Sequence, residues 1–322
     1  MTVKWIGKRM MMGIIVLLIV SFLSFFIMHS APGDPAAAFY GGNAQTLNAA
    51  EKERISRVFS LDRPVIAQYG TWLAETVKGN LGVSYKEGRP VSTILMERLP
   101  NTLLLFGVTL FFISIGSIWL GTVAGMKEGS LWDKGLSTVS IVTSSIPAFW
   151  LGILFISFFA VKLGVLPSSG TGDIGGEGGF VDKLRYLLMP AAVIILTHVG
   201  IYARFLQESI KVESRNYYVT VARANGVAEQ VIRKGILRNA SIPYLNYIGM
   251  TIPSFVGGSI IVESLFSWSG LGQLTVKAVV TKDFPLLMGG ILLTGLIVVV
   301  SLFVIDLITY SLNPRLRKGD VR

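Results

Sequence analysis

The chain has 322 residues, of which 52% are hydrophobic and only 15% charged, with a net charge of +10 and a mean hydropathy of +0.61. A soluble domain rarely combines those values, so the apolar runs decide the class. The absence of cysteine excludes disulfides, cysteine metal sites and thiol catalysis, and no basic block with interleaved aromatics points to nucleic acid.

Charge-free stretches long enough for a membrane helix mark six spans. The first lies between Arg9 and Asp34. Its apolar run from Met10 to Met28 is longer than a signal-peptide core, so an uncleaved helix is expected over 1–30. Residues 31–98 form the longest polar stretch. Short helices are expected there at Asn48–Phe59 and at Gln68–Val77, the second burying Tyr69, Trp72 and Leu73. The second span runs between Arg98 and Lys127, the third between Lys134 and Lys162, and a Gly-rich stretch, Ser168–Gly179, follows. The fourth and shortest lies between Arg185 and Arg204, the fifth between Arg238 and Glu263, and the sixth runs from after Asp283 to about Asn313. Gly121 and Gly125, and again Gly257 and Gly258, would allow close helix crossings between spans or between subunits. The expected fold is an all-α membrane protein of six transmembrane helices. Its parts are 1–30, a helical loop over 31–98, a five-helix core over 99–315 with a polar loop at 205–242, and a tail at 316–322.

Orientation follows from Lys/Arg placement. With the N-terminus inside, the cytoplasmic segments hold sixteen Lys/Arg against six acids, and the opposite side thirteen against twelve. Both termini are therefore expected in the cytoplasm, with Ala31–Pro100 outside.

The most informative polar stretch is Tyr217–Pro243, between the fourth and fifth spans. From Arg204 to Arg238 it carries seven Lys/Arg against three acids. Ala222, Ala224 and Ala228 favour helix, and Gly226 interrupts it. A basic helical segment with small residues suits docking to a cytoplasmic partner. Ala222, Ala224 and Gly226 would let a partner surface approach closely, with Tyr218 beside them and Arg223 free to anchor on carboxylates or carbonyls. The plainer alternative is an ordinary positive-inside loop in which Gly226 only turns the chain. Asp306 is the one acid well inside an apolar run, either paired inside the protein or hydrated near the headgroups. Glu263 closes the fifth span near Trp268, and these three are candidates for the pathway or a gate. His29 and His198 stand far apart and are expected to be packed or interfacial rather than metal ligands. No cofactor is expected.

The motifs, in order, are Pro32-Gly33-Asp34-Pro35, Leu61-Asp62-Arg63-Pro64, Leu81-Gly82-Val83-Ser84, Arg98-Leu99-Pro100-Asn101-Thr102 and Ser145 through Gly152. Then come Ala222-Arg223-Ala224-x-Gly226, Trp268-Ser269-Gly270-Leu271-Gly272, Asp283-Phe284-Pro285 and Asn313-Pro314-Arg315. Together they resemble the permease subunits of bacterial ABC importers of the dipeptide, oligopeptide and nickel class. The polar stretch is similar to that family's "EAA" loop, with Thr220 and Val221 where its Glu and Ala would stand, Asn225 for a frequent Lys, and Ser269 for a usual Pro. The resemblance implies a type I importer permease fold in the bacterial plasma membrane. It implies a second, related permease, two ATP-binding subunits and an extracytoplasmic binding protein as partners, besides membrane lipid. It also implies that Tyr218, Ala222, Arg223, Ala224 and Gly226 couple the chain to the ATPases. No GxxxxGK[ST] loop occurs, so power must come from a partner. The cargo stays open between nickel or metal–chelate complexes and di- or oligopeptides. Tyr69-Gly70-Thr71-Trp72-Leu73 and Gly200-Ile201-Tyr202-x-Arg204 look slightly closer to the nickel and metallophore branch.

Two other classes compete. An intramembrane aspartyl protease needs two carboxylates sharing acid and base roles, and only Asp306 is placed for that. A channel would not need the docking segment, and nothing resembles a selectivity filter.

Overall fold

The computed structural model describes residues 3–30, 63–172 and 179–312. The helix expected at Asn48–Phe59, the Pro32–Pro35 motif, part of the Gly-rich stretch and the tail lie outside the described residues. The helices are α1 (Val3–Ser30), α2 (Val65–Val77), α3 (Val91–Met126), α4 (Leu131–Ser145), α5 (Ala148–Phe155), α6 (Gly179–Ser214), α7 (Tyr217–Ala224), α8 (Glu229–Leu265), α9 (Leu271–Val280) and α10 (Phe284–Leu312). A π-helical stretch, Ile156–Lys162, extends α5. Among the described residues the only β pairing is an isolated bridge, Val83 to Pro90.

Five helices, α1, α3, α6, α8 and α10, are long and apolar enough to cross a membrane. The expected third span is not one rod. Leu131–Ser145 and Ala148–Lys162 meet at a bend of 89°. Pro147 explains it: the residue before a proline is pushed out of the helical region, and Ile146 sits at φ −83°, ψ 120°. Counting that bent pair as one span gives six.

The chain divides into two compact units. The first comprises residues 1–102 and 269–299, and the second residues 103–268 and 300–322.

In the first unit, Phe25 and Met28 of α1, Val91, Ile94 and Leu95 of α3, Leu271 and Leu274 of α9, and Leu286 and Met288 of α10 form one buried apolar cluster. The helix expected at Gln68–Val77 is α2, which begins earlier, at Val65. Tyr69 stands edge-on to Phe22 and Phe25, with its hydroxyl 3.0 Å from Ser21 Oγ. Tyr69 and Trp72 pack against the cluster without being sealed in it. His29 is a packed histidine, with Nδ1 2.9 Å from the Phe25 carbonyl oxygen and Nε2 3.0 Å from Gln68 Oε1.

Three motifs far apart in sequence meet in this unit. Asp283 is fully buried and caps α10, its Oδ1 accepting from the Leu286 N–H at 3.3 Å. Its Oδ2 accepts from the Ser84 hydroxyl at 2.5 Å and from the Lys86 N–H at 3.2 Å. Burial, and then the Asp283 charge, push the Tyr85 phenol far above its ordinary value. At the start of α9, Gly270 has no side chain to cap the helix. The Thr102 hydroxyl accepts from the Leu271 N–H instead, at 2.7 Å, while Asn101 donates to the Ser269 carbonyl at 2.8 Å. Asp283→Ala should strip three donors of their acceptor at once. A cost of about 2–3 kcal/mol is expected, read as a lowered melting temperature and as new protease cleavage at residues 84–87, with Asp283→Asn milder.

In the second unit, α6 and α8 are the most enclosed of the span-length helices. Glycines let three neighbours close on them. A Cβ on Gly121 of α3 would lie 2.6 Å from the Ala203 carbonyl oxygen of α6, and one on Gly125 2.9 Å from Ile210 Cβ. A Cβ on Gly200 of α6 would lie 2.8 Å from Thr143 Oγ1 of α4, and Gly152 of α5 abuts Leu265. The crossing expected at Gly257 and Gly258 is not found within the described chain: a Cβ on either would meet nothing within 4 Å.

Candidate functional site

Most of the stretch expected as a polar loop at 205–242 is helix. α6 continues to Ser214 and α8 begins at Glu229, leaving α7 between two short turns. Arg204, expected at the edge of the loop, lies well inside α6.

The eight residues of α7 are held by few contacts. Val219 is the only one buried, while Tyr217 is 79% exposed. The Asn239 amide bridges, donating to Glu213 Oε1 at 2.7 Å and to the Tyr218 hydroxyl at 3.4 Å. Partial burial, and then the Glu213 carboxylate, raise the Tyr218 phenol above its ordinary value.

The end of α7 is a Schellman turn. The Val227 N–H donates to the Ala222 carbonyl and the Gly226 N–H to the Arg223 carbonyl, both at 3.0 Å. Gly226 takes the left-handed conformation that this turn needs, φ +72°, and a Cβ there would meet nothing within 4 Å. Arg223 closes the turn from outside. Its Nη2 lies 3.0 Å from Glu229 Oε1 and its Nε 3.3 Å from Oε2. Both side chains are about half exposed, so the pair adds little stability; it bridges the turn from the end of α7 to the first residue of α8. Gly226 is thus required by the turn itself, and Arg223 is engaged within the chain. Ala222 supplies a capping carbonyl, and Ala224 ends the helix on its exposed side.

A buried polar node braces the helix that leads into α7. Ser130 caps α4, its Oγ accepting from the Asp133 N–H at 3.3 Å. Asp133 Oδ2 accepts from the Gly129 N–H at 2.7 Å. Asp133 Oδ1 accepts from the Gln207 amide at 2.5 Å and lies 2.7 Å from Lys211 Nζ. Arg215 pairs with Glu128 one turn further on. The 127–133 turn is thereby pinned to the last turns of α6. Sequence reasoning passed over Asp133, Gln207 and Lys211. Only the Ser130-x-x-Asp133 spacing, a capping signature, marked any of them.

The other predicted residues lie elsewhere. Glu263 and Trp268 are sealed, 1% and 0% exposed, where α8 ends, and the Trp268 N–H donates to the Glu263 carbonyl at 2.8 Å. Neither side chain reaches the surface of the chain. Asp306 is half-exposed in α10 and is not an isolated charge. His198 Nδ1 lies 2.9 Å from the Ile194 carbonyl oxygen. Among the described residues no three His, Cys, Asp or Glu gather as metal ligands.

Five helices long and apolar enough to cross a membrane, or six with the bent pair, define a multi-pass membrane protein. The chain belongs to the family of binding-protein-dependent transport system inner membrane components, whose model matches residues 117–318, with that family's N-terminal region matching residues 2–106. It is therefore an ABC importer permease. It is 34% identical over 314 residues to the oligopeptide transport system permease protein AppB of Bacillus subtilis, covering 97% of this chain and 98% of that one. It is 31% identical over 319 residues to the metal-staphylopine import system permease protein CntB of Staphylococcus aureus, covering 98% and 99%.

Proposed function

We propose that this permease pairs with a second, related permease in a bacterial plasma membrane and takes peptides or metal chelates from an extracytoplasmic binding protein. The cargo reading rests on the two kinds of relative, one named for oligopeptides and one for a metal chelate. Both termini and α7 face the cytoplasm, in keeping with the Lys/Arg excess on that side. There α7 receives one of two ATP-binding subunits and passes its movement to α6 and α8. The observation that carries the coupling role is α7 itself. A helix of eight residues exposes Tyr217, Tyr218 and Val221, yet is tied to α8 by the Gly226 turn and the Arg223–Glu229 fork. An exposed apolar face on a polar segment suits a protein partner, and that tie transmits its movement.

The test separates docking from turning. Gly226→Asn keeps a residue that tolerates the left-handed conformation, whereas Gly226→Trp adds bulk on the open side. Arg223→Glu opposes Glu229 and reverses a surface charge. Gly226→Trp and Arg223→Glu should leave the chain inserted but abolish uptake and release the ATP-binding subunits on purification. Gly226→Asn and the control Gly70→Ala should keep both. Transport at the unmodified rate by Gly226→Trp and Arg223→Glu, with ATPases bound, would reduce α7 to a connector.

A further inference from the structure

Arg204 sits deeper than its place in the sequence suggests. The ring of the next residue, Phe205, stacks on Tyr247 of α8 at 4.1 Å and 8°. Tyr247 lies nine residues beyond Arg238, roughly 13 Å along the helix axis at 1.5 Å per residue. It is therefore well inside the apolar stretch between Arg238 and Glu263, and Arg204 is at that level too. The Arg204 side chain is half-exposed and makes no hydrogen bond or ion pair with any described residue. Glu208, one turn on and able to reach it, is turned to Lys211 at 3.0 Å instead. The Tyr247 hydroxyl also has no hydrogen-bond partner among the described residues.

The exposed face of α8 at this depth is not built for lipid. Asn246, Met250, Ser254 and Gly257 recur along it at helical spacing, with Met250 80% exposed. The exposed face of α3 instead shows Phe111, Phe112, Ile115 and Ile118. A polar amide and a guanidinium are costly against hydrocarbon, so charged groups inside spans face water or protein. An arginine with its fork open there suits a carboxylate, which it can hold through two parallel bonds.

We infer that Arg204, helped by the Tyr247 hydroxyl, binds a carboxylate of the transported molecule as it passes through the membrane. This rests on the cargo reading above, since a peptide ends in a carboxylate and amino-acid metal chelates carry one. The experiment uses the complete importer in proteoliposomes, with its binding protein and ATP-binding subunits. Uptake is compared for trialanine against trialanine amide, and for nickel–histidine against nickel–histidinamide. If the unmodified importer takes up none of these, the cargo reading fails and the inference with it. If it takes up a free acid in preference to its amide, Arg204→Gln should shrink that preference about tenfold, with Arg204→Lys intermediate. The binding protein is the same in every arm, so the change in the ratio belongs to this chain. An unchanged preference in Arg204→Gln overturns the inference while leaving the cargo reading intact. Loss of the second permease from purified Arg204→Gln also overturns it, because Arg204 would then be paired with an acid of that subunit.

Discussion

Gly121→Val should leave little folded protein to extract from the membrane. A Cβ at this position meets the Ala203 carbonyl oxygen at 2.6 Å and Leu206 Cβ at 3.0 Å. The first obstacle is backbone in the middle of α6 and cannot rotate aside. α3 and α6 would have to separate along the whole face that also carries Gly116 and Gly125. Overpacking of a closed interface costs about 3 kcal/mol or more where backbone must move. Gly107→Val on the same helix and Gly257→Val on α8 enter open space and should be tolerated by the isolated chain. The readouts are the monodisperse fraction after detergent extraction and the melting temperature. A Gly121→Val chain that melts with the unmodified one would mean that α3 does not pack on α6 in this way.

Asp133→Ala is expected to have the second largest effect, and on coupling more than on insertion. It takes the carboxylate away from the Gly129 N–H, the Gln207 amide and the Lys211 ammonium at once, leaving Gln207 the carbonyl of residue 133 and Lys211 only Glu208. Breaking one side of a largely buried, hydrogen-bonded ion pair costs about 3 kcal/mol. Lys211→Ala should cost less, because the Asp133 carboxylate keeps the Gly129 N–H and the Gln207 amide as donors. The double variant should cost less than the sum, since the two residues share one interaction. With the 127–133 turn loose, movement at α7 should dissipate before it reaches the spans. Purified complexes should hydrolyse ATP while importing little. Full coupling in Asp133→Ala would remove the node from the proposed route between ATPase and membrane.

The spans were legible because hydrocarbon tolerates so few charges. Five helices stand where the charge-free runs lie; α6 and α8 run past the charges that bracketed them at both ends, and α1 and α3 past the charge at their start, since a helix does not stop where the lipid does. The bend at Ile146–Pro147 was written in the sequence, but an uncharged run from Lys134 to Lys162 reads as one rod until the proline's constraint on its neighbour is weighed. Tyr217–Gly226 was legible as a helix and a turn. What escaped were the partners. Asp133 meets Gln207 and Lys211 from 74 and 78 residues away, and no local pattern encodes that meeting. Arg204 was read as the edge of the loop because charge alone marked the boundary, whereas α6 carries on past it to Ser214.

The first unit is discontinuous in the chain, and this bears on how the protein is made. Ser84 finds Asp283 across 199 residues, and Asn101 and Thr102 find Ser269 and Leu271 across 168 and 169. At roughly 5–20 residues per second of synthesis, the early polar groups wait on the order of ten to forty seconds for their partners. Throughout that interval Ser84, Asn101 and Thr102 lack their partners, and Val91, Ile94 and Leu95 lack the part of their cover that α9 and α10 supply. Biogenesis of this subunit thus closes last where it began first. Nascent chains halted before α9 would expose an unfinished surface that quality control can recognise.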